Sequence, residues 1–260
     1  MNDGPERTMT FWEHLAELRA RLIKAVLAFA VASIVVWCFR EPLLLWATAP
    51  FVEAWKEGGL PGEARLHFSA PAALFIAYLK LSMMGGLVVS LPFVLYQAWA
   101  FIAPGLYANE KRYALPFVLT SSGLFATGAF FCFKIVFPNA FRYLLSFGGV
   151  MKGTSFEVMP TVMIDEYINF SLRMLVAFGI VFELPVLVFF LSIAGIVTHR
   201  HLIKFARYFI VIAFVIGAVL TPPDPASQIF LAVPLMLLYA VSIVVAFIFG
   251  RRGRSETVES

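Results

Sequence analysis

Long apolar runs separated by short polar connections dominate the chain, and their lengths set its architecture. Spans are predicted at about 22–39, 72–100, 113–137, 166–193, 205–220 and 229–249. A bilayer core takes about 20 predominantly apolar residues of helix. The second span is long, roughly 43 Å at about 1.5 Å per residue, and must tilt, kink or protrude. Pro92 within it is the expected kink site. The fifth is short and is stopped by "TPPDPASQ" at 221–228, so spans five and six are expected to form a tight hairpin that need not cross the full bilayer. The fold expected is an all-α polytopic membrane protein of six transmembrane helices. It forms one domain over 1–250, followed by a polar tail at 251–260. The two longest connections, about 40–71 and 138–165, carry Trp46, Trp55 and several Pro and Gly and read as structured caps.

Composition agrees. The chain is 61% hydrophobic and 14% charged, with 28 phenylalanines, where a soluble domain is about 45–50% apolar and about 25% charged. Membrane lipid, not nucleic acid, is then the surrounding that a net charge of +4 addresses. The distribution of the basic residues matters more. A dozen (Arg7, Arg19, Arg21, Lys24, Lys111, Arg112, Arg200, Lys204, Arg207, Arg251, Arg252 and Arg254) fall on the side of the N-terminus, the 2–3 and 4–5 connections and the C-terminus. Five (Arg40, Lys56, Arg65, Arg142 and Lys152) fall on the other. The positive-inside rule puts both termini in the cytoplasm. Residues 1–10 are polar and no small-residue cleavage site follows the first run, so no cleavable signal peptide is expected. Cys38 and Cys132 lie within apolar runs as small hydrophobes, without metal or redox spacing.

The stretch "FWEHLAELRARL" at 11–22 precedes the first run. As a helix it puts Phe11, Leu15, Leu18 and Leu22 on one stripe, and Glu13, Glu17, Arg21 and Lys24 opposite, with Arg19 on the flank. One reading is an interfacial helix whose Glu17 pairs with Arg21 at i,i+4, contributing about 0.3–0.5 kcal/mol. The other is a carboxylate held at headgroup level to receive a cationic ligand. Glu110, in "FIAPGLYANEKRY" at 101–113, is confined near the same surface. Alone it reads as a first-turn helix acid. Together the two carboxylates suit a pair of guanidinium groups, each taken through bidentate contacts that lysine cannot reproduce.

Four further ionisable residues lie within spans: Lys80, Lys134, Arg173 and Glu183. Lys134 and Arg173 are expected to snorkel, while Lys80 is deep enough to need a partner or water. Glu183, in "FGIVFELPV" beside Pro185, costs about 2.5–3.5 kcal/mol as a charge at mid-membrane, so it must be neutral, paired or facing a wet cavity. Gln97 and Gln228 are candidate partners for it. HExxH, GxSxG and phosphate-binding glycine loops are absent, and His199 and His201 read as interfacial anchors, so neither enzyme activity nor a cofactor is expected.

In order and spacing, "HLAELRARL", "YLKLSMM", "LPFVLYQAWAFIAPGLYANEKR", "FGIVFELPVLV" and "LTPPDPASQ" make the chain resemble the TatC family, the receptor subunits of the twin-arginine protein translocase, over nearly its full length. The resemblance implies a concave, glove-like bundle with short fifth and sixth helices, in the prokaryotic cytoplasmic membrane. It implies binding of twin-arginine signal peptides by Glu17 and Glu110, with Arg19, Phe101 and Pro104 around them. It implies a polar site at Glu183, with Gln97, Lys80 and Gln228, for single-span TatA- and TatB-type subunits, self-association in the receptor complex, and export of folded proteins by the proton-motive force. Asp224 also matches the family pattern, without a chemical role. Glu13 departs from it. The competing classes are a secondary transporter with Glu183 as a proton-coupled carboxylate, which lacks an internal repeat, and an intramembrane enzyme, which lacks a nucleophile–base set.

Overall fold

The computed structural model describes residues 11–58, 60–102, 114–150, 157–220 and 225–250. Helix dominates, as it must where lipid offers the backbone no hydrogen bonds. In order the elements are α1 (Phe11–Trp37), α2 (Arg40–Glu57), β1 (Leu66–His67), α3 (Ala73–Ile102), α4 (Ala114–Phe131), a π-helical segment (Cys132–Val136) and α5 (Phe137–Leu145). There follow β2 (Gly149–Val150), β3 (Glu157–Val158), β4 (Val162–Met163), α6 (Ile164–Phe182), α7 (Leu184–Ile193), α8 (His199–Leu220) and α9 (Pro225–Phe249). Among the described residues six stretches are long and apolar enough to cross a membrane: 12–37, 73–101, 115–145, 164–193, 199–220 and 228–249.

Three boundaries differ from the sequence expectation. The first helix is continuous over Phe11–Trp37, so "FWEHLAELRARL" is part of the spanning helix and not a separate interfacial one. The third stretch runs past 137 to Leu145 through the π-helical segment. The fifth begins at His199 and has 22 residues, and the sixth helix has 25. At about 1.5 Å per residue even α8 reaches about 33 Å, so neither is too short for a bilayer. The charged turn "HRHLIK" is helical although it is not apolar, and hydropathy alone starts the span too late. Pro92 lies inside an uninterrupted α3.

Two compact units emerge. The first takes α1, residues 82–102 of α3 and 114–122 of α4. Within it, α1 and α3 approach closely: a Cβ on Gly86 would lie 2.2 Å from Ser33 Oγ and 2.7 Å from its Cα. Small residues at such crossings are how helices pack where lipid removes the hydrophobic drive between them.

The second unit holds α2, the start of α3, the rest of α4 and everything after it. The described residues of the long connections include short strands. β1 pairs in parallel with β4, Leu66 opposite Val162, and β2 pairs with β3 in antiparallel. α2 packs on α5 around an aromatic cluster of Phe51, Phe141 and Tyr167, and the Tyr167 hydroxyl donates to the Ala47 carbonyl at 2.7 Å. α8 and α9 form a hairpin, with Phe209 stacked on Tyr239 at 4.0 Å and the Tyr239 hydroxyl donating to Leu202 O at 2.8 Å.

α4 and α6 exchange aromatics for glycines. Gly128 faces the Phe178 carbonyl and Phe182, and Gly179 faces Phe125. A Cβ on Gly128 would sit 2.5 Å from Phe178 O, whereas one on Gly123 meets nothing within 4 Å. Gly128→Val is therefore expected to destabilise the detergent-solubilised protein by about 1–3 kcal/mol. Gly123→Ala should change stability by no more than about 1 kcal/mol, in the stabilising direction. Thermal unfolding of the two variants side by side checks both; a Gly128→Val midpoint equal to wild type would refute the close crossing.

Candidate functional site

The acidic foot of α1 and the C-terminal end of α3 belong to the same unit and meet there. His14 stacks on Phe101, ring centroids 4.3 Å apart and planes 17° apart. His14 and Glu17 are one helical turn apart on α1, so this stack brings the end of α3 beside the Glu17 turn. The i,i+4 pair read from the sequence is present: Arg21 donates from Nε at 2.9 Å and from Nη2, both to Glu17 Oε1. The other oxygen, Oε2, is buried and takes no hydrogen bond from any described residue. The carboxylate is thus gripped on one oxygen and bare on the other.

Around it the apolar stripe is uncovered. Leu15, Leu18 and Leu22 are exposed, and no residue of the most apolar window of α1 is buried. Arg19 is exposed on the flank. Glu13 is exposed as well and makes a polar or ionic contact of its own. Glu110, Pro104 and Asp224 lie outside the described residues.

Lys80 finds the partner its depth requires: its Nζ donates to Asn169 Oδ1 at 2.6 Å, tying the start of α3 to α6. Gln228 donates its amide to Phe214 O at 2.7 Å across the α8–α9 hairpin, so that donor is engaged with backbone. Its aliphatic part packs where a Cβ on Gly217 would come within 2.9 Å. Glu183 is the hinge residue between α6 and α7. Its N–H reaches Ile180 O and Val181 O, and Pro185 follows within the first turn of α7. Gln97 is buried on the part of α3 that belongs to the first unit. Lys134 and Arg173 are exposed. Among the described residues no group of His, Cys, Asp and Glu could hold a metal ion, and both cysteines are free.

Two participants escaped the sequence reading. Asn169, an uncharged polar residue in the apolar run "YINFSLRML", is the kind of residue that a search for intramembrane hydrogen-bond partners picks out. His14 carries no such signal, since its ring partner is distant in sequence.

Comparison with known proteins decides the family. The family model described as "Sec-independent protein translocase protein (TatC)" matches residues 13–234. The chain belongs to the TatC family. Its curated relatives include the Sec-independent protein translocase protein TatC of Desulforapulum autotrophicum, 38% identical over 255 residues and covering 98% of this chain and 90% of that protein. The TatC of Aquifex aeolicus is 39% identical over 246 residues, covering 95% of this chain and 98% of that protein. Among solved structures, one described as the twin-arginine translocase receptor TatC superposes with a TM-score of 0.78 at 38% identity. It covers 92% of this chain and all of the solved one. TatC proteins are translocase components and not enzymes, and membership makes this chain a multi-pass protein of the bacterial inner membrane.

The Lys80–Asn169 bond yields a direct test. Asn169→Leu removes the acceptor of a half-buried ammonium and is expected to lower stability by about 1–3 kcal/mol. Adding Lys80→Met to that variant should recover most of the loss, a coupling that a double-mutant cycle of unfolding midpoints in detergent measures. Additive effects of the two substitutions would refute the bond's importance.

Proposed function

We propose that the chain is the receptor subunit of a twin-arginine translocase, binding signal peptides of folded cargo at its cytoplasmic face. The observation that supports this most is the state of Glu17: one carboxylate oxygen held by Arg21, the other buried and without a described donor. A ligand guanidinium supplies the missing donors, with charge-assisted hydrogen bonds about twice as strong as neutral ones. Glu110 takes the second arginine of the pair; its part rests on the sequence alone. Arg19 flanks the site, Phe101 contributes the aromatic surface stacked on His14, and Pro104 joins them as the third residue of the recognition motif. The uncovered leucines of α1 give the apolar stretch of a signal peptide a surface along which to lie.

Recognition is followed by assembly. Glu183, at the break between two half-helices, meets polar groups of single-span TatA- and TatB-type subunits, and Gln97, Lys80 and Gln228 are separate intramembrane polar points open to the same kind of partner. Copies of the chain associate in the receptor complex. Both termini face the cytoplasm, as the basic residues require. Folded cargo then crosses at the expense of the proton-motive force.

Crosslinking of a twin-arginine peptide to the membrane-embedded protein tests the docking step. Glu17→Gln is expected to weaken labelling by about tenfold or more, and a Lys-Lys peptide should label as weakly. Equal labelling by both peptides, or labelling unchanged in Glu17→Gln combined with Glu110→Gln, would remove the basis of the proposal. For assembly, Glu183→Ala should reduce co-purification of single-span subunits while leaving peptide labelling near wild type; the reverse pattern would overturn that role.

A further inference from the structure

A pocket of about 220 Å³ opens in the second unit between α2 and the π-helical end of the third span. Lys134, Pro138 and Arg142 follow one another at four-residue spacing along one wall, and Pro50 and Glu53 of α2 form the other. Phe133 closes one side, stacked on Trp46 of α2 at 3.9 Å with planes 10° apart. Residues 114–133 carry no charge, about the length of helix a bilayer core takes. Lys134 is therefore the first charge met on leaving the hydrocarbon, and the pocket lies at headgroup level.

The pocket carries both signs of charge, and two of its charges, Lys134 and Glu53, do not neutralise one another. Arg142 is bonded to Glu57 on α2. Glu53 forms no ion pair with Lys134 or Arg142 among the described residues, although all three line the same space. Lys134 makes only a long approach, 5.8 Å, to the Phe133 ring. A pocket with an unanswered cation on one wall and an unanswered carboxylate on the other complements a ligand that carries both charges a few atoms apart. Exposed Phe130 and Ile135, adjoining it on the third span, offer apolar surface toward the hydrocarbon.

We propose that this pocket binds the phosphoethanolamine headgroup of a membrane phospholipid. The phosphate lies between Lys134 and Arg142, the primary ammonium donates to Glu53, and the acyl chains run past Phe130 and Ile135. A quaternary choline has no N–H to give Glu53. A glycerol headgroup brings no cation and leaves the carboxylate facing a phosphate.

The test uses the full chain in detergent, incubated with equal amounts of phosphatidylethanolamine, phosphatidylcholine and phosphatidylglycerol of matched acyl chains, with retained lipid counted by native mass spectrometry. Phosphatidylethanolamine should be retained over both others. Glu53→Gln and Lys134→Gln should each lower its retention about tenfold or more, and Lys134→Arg should keep it. Both side chains are exposed, so the variants fold, and unchanged unfolding midpoints verify this. Equal retention of the three lipids, a preference for phosphatidylglycerol, or wild-type retention in Glu53→Gln overturns the assignment. So does displacement of the lipid by soluble phosphoethanolamine, which would make the free headgroup the ligand.

Discussion

No water reaches a bilayer core to bond a stray backbone N–H or C=O, and each unsatisfied group there costs several kcal/mol. That requirement governs every irregularity along this chain. Where Pro138 removes a donor, the preceding turn widens, so that Phe137 N–H reaches Cys132 O five residues back, and the Asn139 amide donates to Ile135 O at 2.6 Å. Where Pro185 interrupts the fourth span, Glu183 N–H turns to Ile180 O and Val181 O, and Leu187 N–H returns to Glu183 O at 2.9 Å. Hydroxyls obey the same rule: Ser33 donates to Phe29 O and Ser242 to Leu238 O, each back onto its own helix. The breaks are thereby stable features at which polar chemistry can be displayed at depth.

Those breaks also mark the limits of what hydropathy reveals. Apolar length identified the six spans found among the described residues, because lipid selects for length and composition almost without regard to order. It misjudged the ends wherever a charged turn is helical, as at 11–21 and 199–204, since hydropathy reports lipid contact and not hydrogen bonding. The continuation of the third span to Leu145 needed the π turn, which no periodicity announces. The break at Glu183 has a local cause, Pro185 in the first turn of α7, which the sequence displays directly.

The polar residues divide in the same way. Glu17 and Arg21 are four apart on one helix, and their pairing follows from spacing alone. Lys80 declared its need of a partner through its depth, but Asn169 as that partner depends on how α3 meets α6, which is tertiary information. Gln228 read from the sequence as a candidate partner for Glu183, and its amide donates across the hairpin to Phe214 O, a backbone contact that spacing does not announce. Intramembrane polarity therefore identifies which residues must be satisfied, not by whom.

The Glu17–Arg21 pair gives the receptor reading a physical logic. An unpaired carboxylate at the foot of a spanning helix would have to be desolvated whenever an apolar peptide lay over it, and that penalty opposes binding. With Arg21 already on Oε1, much of the desolvation belongs to the resting protein and not to the encounter. Both Arg21 donors converge on a single oxygen, which fixes the carboxylate's orientation and leaves Oε2 as the acceptor still to be filled. An incoming guanidinium can occupy Oε2 beside Arg21 or exchange with it; exchange keeps the charge of the site balanced, whereas joining Arg21 leaves one positive charge in excess. A lysine ammonium brings the charge but not the planar fork, so it competes poorly with the arginine already in place. In the proposed receptor, selectivity for arginine would rest as much on the internal guanidinium that the ligand must match as on the carboxylate itself.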